Sequence, residues 1–229
     1  MNLDDDVSQA ERAYRRLRTE ILYGDLMPGE RLRAADLQDR FLLGLTPIRE
    51  ALMRLSSENL VEAETNRSSR VSDASLAGLK DLMATRRIIE RECLTAAIKQ
   101  GDAAWEAEII ASLHLLSRAE LPANPQDRDA ASHWETQHRR FHSALVAGCG
   151  SEWLLRFWTM LADHSERYRK IRLLRHREAP AEVRDVQAEH AEIMAAALNR
   201  DVVRATGLMD AHLSATETAI SHLLATPGP

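Results

Sequence analysis

The part of the sequence that most limits what this chain can fold into is residues 32–71, centred on Thr46-Pro47-Ile48-Arg49-Glu50-Ala51-Leu52-Met53-Arg54-Leu55. Ile48, Ala51, Leu52 and Leu55 recur at intervals of three and four, which is the buried stripe of a helix and leaves Arg49, Met53 and Arg54 turned outward. Upstream, Leu32-Arg33-Ala34-Ala35-Asp36-Leu37-Gln38-Asp39-Arg40-Phe41 reads as a short helix, with Gly44 in the tight turn that follows it. Thr46 is placed to cap the second helix and Pro47 to take its first position, where the missing amide hydrogen costs nothing. Downstream, Leu60-Val61-Glu62-Ala63-Glu64 and Arg70-Val71-Ser72 read as two strands joined by the polar turn Thr65-Asn66-Arg67-Ser68-Ser69. Helix, turn, helix and hairpin outline a winged helix-turn-helix, whose second helix fits the major groove of duplex DNA. An arginine near the exposed start of that helix can fork onto guanine O6 and N7, worth about 1–3 kcal/mol of discrimination. Arg49 is therefore the main base-reading candidate.

Charge leaves that reading open. The chain carries a formal net charge of −5, yet residues 10–70 hold eleven arginines against ten acidic residues, so this segment is close to neutral. Arginine suits bidentate phosphate and base contacts, and it equally suits salt bridges between helices. Before residue 32, an amphipathic helix over residues 11–22 puts Ala13, Leu17, Ile21 and Leu22 on one face and Arg12, Arg15, Arg16 and Glu20 on the other. Those arginines either touch phosphates or form an ordinary solvated face.

The remainder has helical period throughout. Helices are expected at about 74–100, 103–119, 129–148, 151–176, 181–199 and 201–225, divided by Gly101-Asp102, the Leu121-Pro122-Ala123-Asn124-Pro125 loop, Gly148 to Gly150, Pro180 and Asn199-Arg200-Asp201. Short connections make sequential helices lie side by side, which predicts an antiparallel all-α bundle. No apolar run approaches the roughly 18 residues of a membrane span. The acidic start Asp4-Asp5-Asp6 is unlike a basic signal peptide, and Cys93 and Cys149 have no paired spacing, so a reduced cytoplasmic setting is expected.

Ile21-Leu22-Tyr23-Gly24-Asp25-Leu26-Met27-Pro28-Gly29-Glu30-Arg31-Leu32, followed by residues 46–55 and by Glu58-Asn59-Leu60-Val61, resembles the DNA-binding domain of the GntR family of bacterial transcription regulators. The resemblance implies a winged helix-turn-helix domain over residues 8–73 and an all-helical effector-binding and dimerisation domain over residues 74–226. It departs from the family's pattern twice. Leu42-Leu43-Gly44-Leu45 stands where Gly-Val-Ser-Arg is usual, which removes an arginine from the start of the recognition helix, and Ser68 stands at the wing tip where glycine is favoured. Both changes point to an altered operator. Arg40, Thr46 and Arg49, with Asn66, Arg67 and Arg70 on the wing, are the candidate DNA contacts; each wing residue also has a plain surface reading.

Nine histidines are many for this length, and four are informatively placed. His138 and His142 stand four apart on one helix, so their rings leave the same face one turn apart, while His190 and His212 sit in the middle of two later helices. Such a pair plus single ligands from neighbouring helices is how a bundle core assembles a metal site. Taken singly, each is an ordinary packed or surface histidine. Glu135-x-x-His138 resembles half of a di-iron motif, but no second copy exists. The C-terminal region resembles the FCD ligand-binding domain of FadR-type GntR regulators, many of which hold a divalent metal through an aspartate, a histidine four residues on and one histidine from each of two later helices. Phe141-His142, Glu189-His190 and Ala211-His212-Leu213 match three of those positions, and His138 replaces the usual aspartate. Four imidazoles favour borderline ions, so zinc is expected, with nickel as the alternative.

The same resemblance singles out Arg86 and Glu90, four apart, as the pair that opens this domain; Arg86 either meets a carboxylate effector or forms an intrahelical salt bridge. Arg139, Arg167 and Tyr168 are further candidates to line the cavity. The expected function is a homodimeric regulator, of the repressor type common in the family, which binds a pseudo-palindromic operator and responds to a small carboxylate metabolite beside the metal. The rivals are a metal-dependent enzyme whose histidine cluster activates water and a direct metal sensor.

Overall fold

The computed structural model describes residues 8–64, 68–73, 75–124, 126–174 and 184–225, and it divides into two compact units, Met1–Ala74 and Ser75–Pro229. In the first unit, Ser8 Oγ accepts the Glu11 amide at 3.2 Å and starts α1 (Gln9–Tyr23). Gly24, at φ 79°, takes the left-handed conformation that ends it, at little steric cost to a residue without Cβ. Ala13, Leu17, Ile21 and Leu22 of α1 pack on Ile48, Ala51, Leu52 and Leu55 of α3 (Leu45–Ser57), joined by Leu37 and Phe41 of α2 (Ala34–Phe41) and by Leu60 and Val71. Each Leu or Ile fully buried in this way stabilises the unit by about 1.5–3 kcal/mol.

Four local features differ from the sequence reading, the first being that Ser68 and Ser69, expected in the wing turn, belong to a strand, with Ser68 buried. Leu32 and Arg33 are not the start of α2 but the end of a short strand, β1 (Arg31–Arg33), whose Leu32 is turned into the core. β1 makes the expected hairpin a three-stranded antiparallel sheet in the order β1-β3-β2, with β2 (Val61–Ala63) and β3 (Ser68–Val71) paired Val61 to Val71 and β1 joined Leu32 to Ser69. Finally, α3 begins at Leu45 with Gly44 as its cap, so Thr46 does not cap it and Pro47 is its third residue. The proline remains harmless there, because amides of the first turn have no partner within the helix.

The second unit contains six helices among the described residues: α4 (Leu76–Gln100), α5 (Ala103–Ser117), α6 (Arg128–Ala147), α7 (Glu152–Leu174), α8 (Val186–Leu198) and α9 (Val202–Ala225). Their starts follow from capping chemistry. Ser75, Asp102, Asp127 and Asp185 each accept an amide two or three residues into the next helix, worth about 1 kcal/mol apiece. The Asp185 cap explains why α8 starts after residue 181, the position expected from sequence; Pro180 itself lies outside the described residues. α4 is the central helix, packed on α6, α7 and α9, while α8 packs on α5 and α9. Cys93 and Cys149, unrelated by spacing, meet in this core, where burial, with the Cys149 thiol beside it, pushes the Cys93 thiol up to about 12.

Candidate functional site

The sequence of α6 determines which of its residues enter the bundle. Ala131, Trp134, Glu135, His138, Phe141, His142 and Leu145 share one face, and that face is buried, so His138 and His142 both point inward. His190 on α8 and His212 on α9 occupy the buried faces of their own helices. Ligand atoms of all four histidines lie within 4.8 Å of one another. His142 Nε2 and His190 Nε2 are 3.3 Å apart, and ring centroids are separated by 4.4 Å for His138 and His142 and by 4.7 Å for His190 and His212. Trp134 stacks on His138 at 4.7 Å and Phe141 meets His190 edge-on at 5.1 Å, so aromatic walls fix two of the rings.

Burial, then the His142 imidazole and the Arg169 guanidinium, hold His138 well below the ordinary histidine value. Burial, followed by His212, His190 and the charges of Arg86 and Arg169, does the same to His142. His212 is lowered chiefly by burial, against the pull of Glu189. Lowered values favour the neutral imidazole that a metal needs, and the Nδ1 atoms of His138 and His142 have no hydrogen-bond partner among the described residues. Two nitrogens at zinc–imidazole distances on a tetrahedral ion sit about 3.3–3.4 Å apart, which the His142–His190 separation already meets. The residues present fit a borderline divalent ion.

An ionic layer borders the histidines. Arg169 on α7 grips Glu135 with Nε at 3.0 and 3.2 Å from its two carboxylate oxygens, and it shares Ser165 Oγ with Arg86 Nη1, which donates to it at 2.6 Å. Arg86 also faces Glu90 at 3.5 Å, so the Arg86–Glu90 pair is an intrahelical ion pair and a buried one. Burial raises the Glu90 carboxyl, even though Trp158 Nε1 donates to it at 2.7 Å. On the outer side of the cage Glu189 accepts from His212 Nδ1 at 2.8 Å; burial works to raise its carboxyl, and the His212 and Arg184 hydrogen bonds overcome this and hold it at about 2.

Arg139 and Tyr168, also expected at the effector site, have their contacts elsewhere. Arg139 is half-buried and ion-paired with Asp163, and the Tyr168 hydroxyl lies against Gly78, two turns along α4 from Arg86. Arg169 on α7, rather than Tyr168 or Arg139, meets Glu135 and Ser165 in the ionic layer. Its signal was in the sequence: Trp158, Leu161, Ala162, Ser165 and Arg169 follow one helical stripe.

In the first unit Arg49 is exposed on α3 and has no ion pair or hydrogen bond among the described residues. Most arginines around it are engaged: Arg40 with Glu20 at 2.8 Å, Arg54 with Glu11 at 2.7 Å, and Arg70 with Glu64 at 2.8 Å and with the Gly29 carbonyl. Thr46 is exposed on the first turn of α3, and Asn66 and Arg67 lie outside the described residues. No helix among the described residues is long and apolar enough to cross a membrane.

Comparison with known proteins gives the same division. Residues 9–71 match the family described as bacterial regulatory proteins, gntR family, and residues 81–215 match the FCD domain. The chain is 38% identical over 200 residues to the HTH-type transcriptional repressor GlaR of Escherichia coli (strain K12), covering 87% of this chain and 90% of that protein. It is 35% identical over 213 residues to the HTH-type transcriptional regulator BphR of Paraburkholderia xenovorans (strain LB400), covering 93% of this chain and 85% of the relative. Its fold is similar to that of E. coli McbR/YncC, with a TM-score of 0.72 at 21% identity over 94% of this chain and 98% of that one. These matches span both units, and the gntR family and both relatives are described as regulators. The chain belongs to the GntR family of bacterial regulatory proteins, in the group that carries an FCD domain.

Proposed function

We propose that this regulator belongs to the FadR-type branch and acts as a homodimeric repressor. In this reading Arg49 reads bases in each half of a pseudo-palindromic operator, with Thr46 beside it and Arg40 and the wing residues Asn66, Arg67 and Arg70 at the phosphates or the minor groove. His138, His142, His190 and His212 hold a divalent ion, zinc before nickel. When bound, the ion supplies a Lewis-acidic point for an oxygen of a small carboxylate effector. Arg86 and Arg169 lie nearby, each already paired with a carboxylate, Glu90 and Glu135, that an anionic effector would have to compete with. Only an effector with unequal affinity for two arrangements of the dimer can change DNA binding, and a difference of about 1–3 kcal/mol shifts operator affinity five- to 150-fold.

The observation that carries this reading is the convergence of four buried histidines, three of them with lowered pKa, within 4.8 Å. The repressor label of the E. coli relative GlaR supports the sign. The test is metal analysis of the purified full chain, then operator binding by fluorescence anisotropy before and after chelation. About one equivalent of zinc per chain, and operator affinity little changed by stripping, is the expected result. Absence of metal under zinc-replete purification overturns the cage. Loss of operator affinity on stripping would instead make the ion itself the signal.

A further inference from the structure

We propose that Glu189, clamped by Arg184, is a positioning residue that decides which nitrogen of His212 faces the cage; this rests on the metal reading above. Nδ1 of His212 has two polar neighbours, Glu189 Oε2 at 2.8 Å and Arg184 Nη2 at 3.2 Å, and they make opposite demands. A carboxylate accepts only, and a guanidinium donates only. The hydrogens of Arg184 settle the choice. Nη2 carries two, one directed to Glu189 Oε2 at 2.6 Å and one to the His212 carbonyl at 2.8 Å, so none remains for Nδ1. His212 therefore holds its proton on Nδ1, gives it to Glu189 and presents the bare Nε2 lone pair to the other rings.

The clamp is rigid for a chemical reason. Arg184 Nε reaches Glu189 Oε1 at 2.7 Å, which makes the pair a two-pronged fork. Nη1 donates to Thr216 Oγ1 at 3.0 Å, and that hydroxyl donates back to the His212 carbonyl at 2.9 Å. Two points on α9, the His212 carbonyl and Thr216 Oγ1, thus fix the guanidinium that fixes the carboxylate. Glu189 and His190 are neighbours on α8, so one turn supplies both a ring for the cage and the support for a ring of another helix. His138 and His142 contrast with this, since neither Nδ1 has a partner among the described residues. A carboxylate on the outer nitrogen raises ligand basicity as well as fixing orientation, and removing such a partner typically weakens metal affinity 10–100-fold.

The test titrates Co(II) into the metal-free full chain and reads affinity and visible ligand-field bands for wild type, Glu189→Gln, Glu189→Ala and Arg184→Ala. Glu189→Ala is expected to weaken Co(II) binding about 10–100-fold. Glu189→Gln, whose amide oxygen still accepts from Nδ1 but loses the fork, falls between it and wild type. In a His212→Ala background Glu189→Ala changes the remaining affinity by less than about threefold, because its effect runs through that ring. Circular dichroism of the metal-free forms separates folding from binding, and Glu189→Gln carries the test if the alanine variant fails to fold. Wild type that takes up no Co(II) overturns the metal reading itself. Wild type that binds while Glu189→Ala or Glu189→Gln keeps full affinity and the same bands overturns this inference alone, as does an equal loss in the His212→Ala background.

Discussion

Helices α3 and α6 place polar side chains on opposite terms with water. On α3, Arg49 projects from the exposed face with no carboxylate to meet it among the described residues. On α6, His138 and His142 sit on the buried face, and burial strips them of charge. Each arrangement selects a different partner. An exposed guanidinium without a carboxylate keeps its donors for an external anion or base edge, whereas neutral imidazoles packed ring to ring have only lone pairs to offer and suit a cation. The two helices thus suit ligands of opposite sign, although both present their groups at helical spacing.

The sharpest way to break this comparison is Arg49→Ala. If each dimer reads two half-sites and each bidentate contact is worth about 1–3 kcal/mol, the loss is about 2–6 kcal/mol of specific affinity. At about 1.4 kcal/mol per decade that is at least roughly 25-fold. Thermal unfolding and metal content stay as in wild type, since Arg49 touches neither core nor cage. Anisotropy titrations on specific and scrambled duplexes check it; operator affinity left intact would remove α3 from the reading role.

Next in size is His190→Ala combined with His212→Ala, which takes two of four ligands from the interior. Metal bound to the folded state alone stabilises it by about 4 kcal/mol at a free concentration roughly a thousandfold above Kd. The double variant is expected to lose the bound equivalent and the rise in melting temperature that zinc gives wild type. Calorimetry with and without zinc measures both, and a retained equivalent would show that the cage is packing rather than a site.

The two regions also differ in how far the sequence reveals them. The stripe of α3 was readable because Ile48, Ala51, Leu52 and Leu55 repeat with the helix and all four are buried. The inward pair on α6 was readable for the same reason. β1 escaped because three residues, two of them exposed arginines, carry no period, and its strand character comes from pairing with β3 across the fold. The Glu189–His212 contact joins two helices and Cys93 on α4 meets Cys149 in the turn after α6, and no spacing within one helix encodes such a meeting. Arg169 marks the boundary between these cases. Its stripe was legible, but its partner Glu135 lies on another helix, and only the packing of α6 on α7 brings them together.

The smallest expected effect is also the closest control. Arg54 lies on α3, five residues after Arg49, and its side chain is 51% exposed, so exposure alone would class the two arginines together. Their surroundings separate them. Arg54 Nη1 meets Glu11 at 2.7 Å, and its guanidinium stacks 3.5 Å over the Tyr14 ring, so it ties α3 to α1. An exposed ion pair contributes about 0.2–1 kcal/mol and an exposed cation–π contact about 0.5–1 kcal/mol. Arg54→Ala should therefore lower stability by about 1 kcal/mol, with a partial recovery in Arg54→Lys and a smaller effect at high salt. Operator affinity should move by less than about twofold, because that guanidinium is already committed within the protein. A loss on DNA matching that of Arg49→Ala would mean that the Glu11 pair opens on binding, and that lack of an internal partner is not what marks the reading residue.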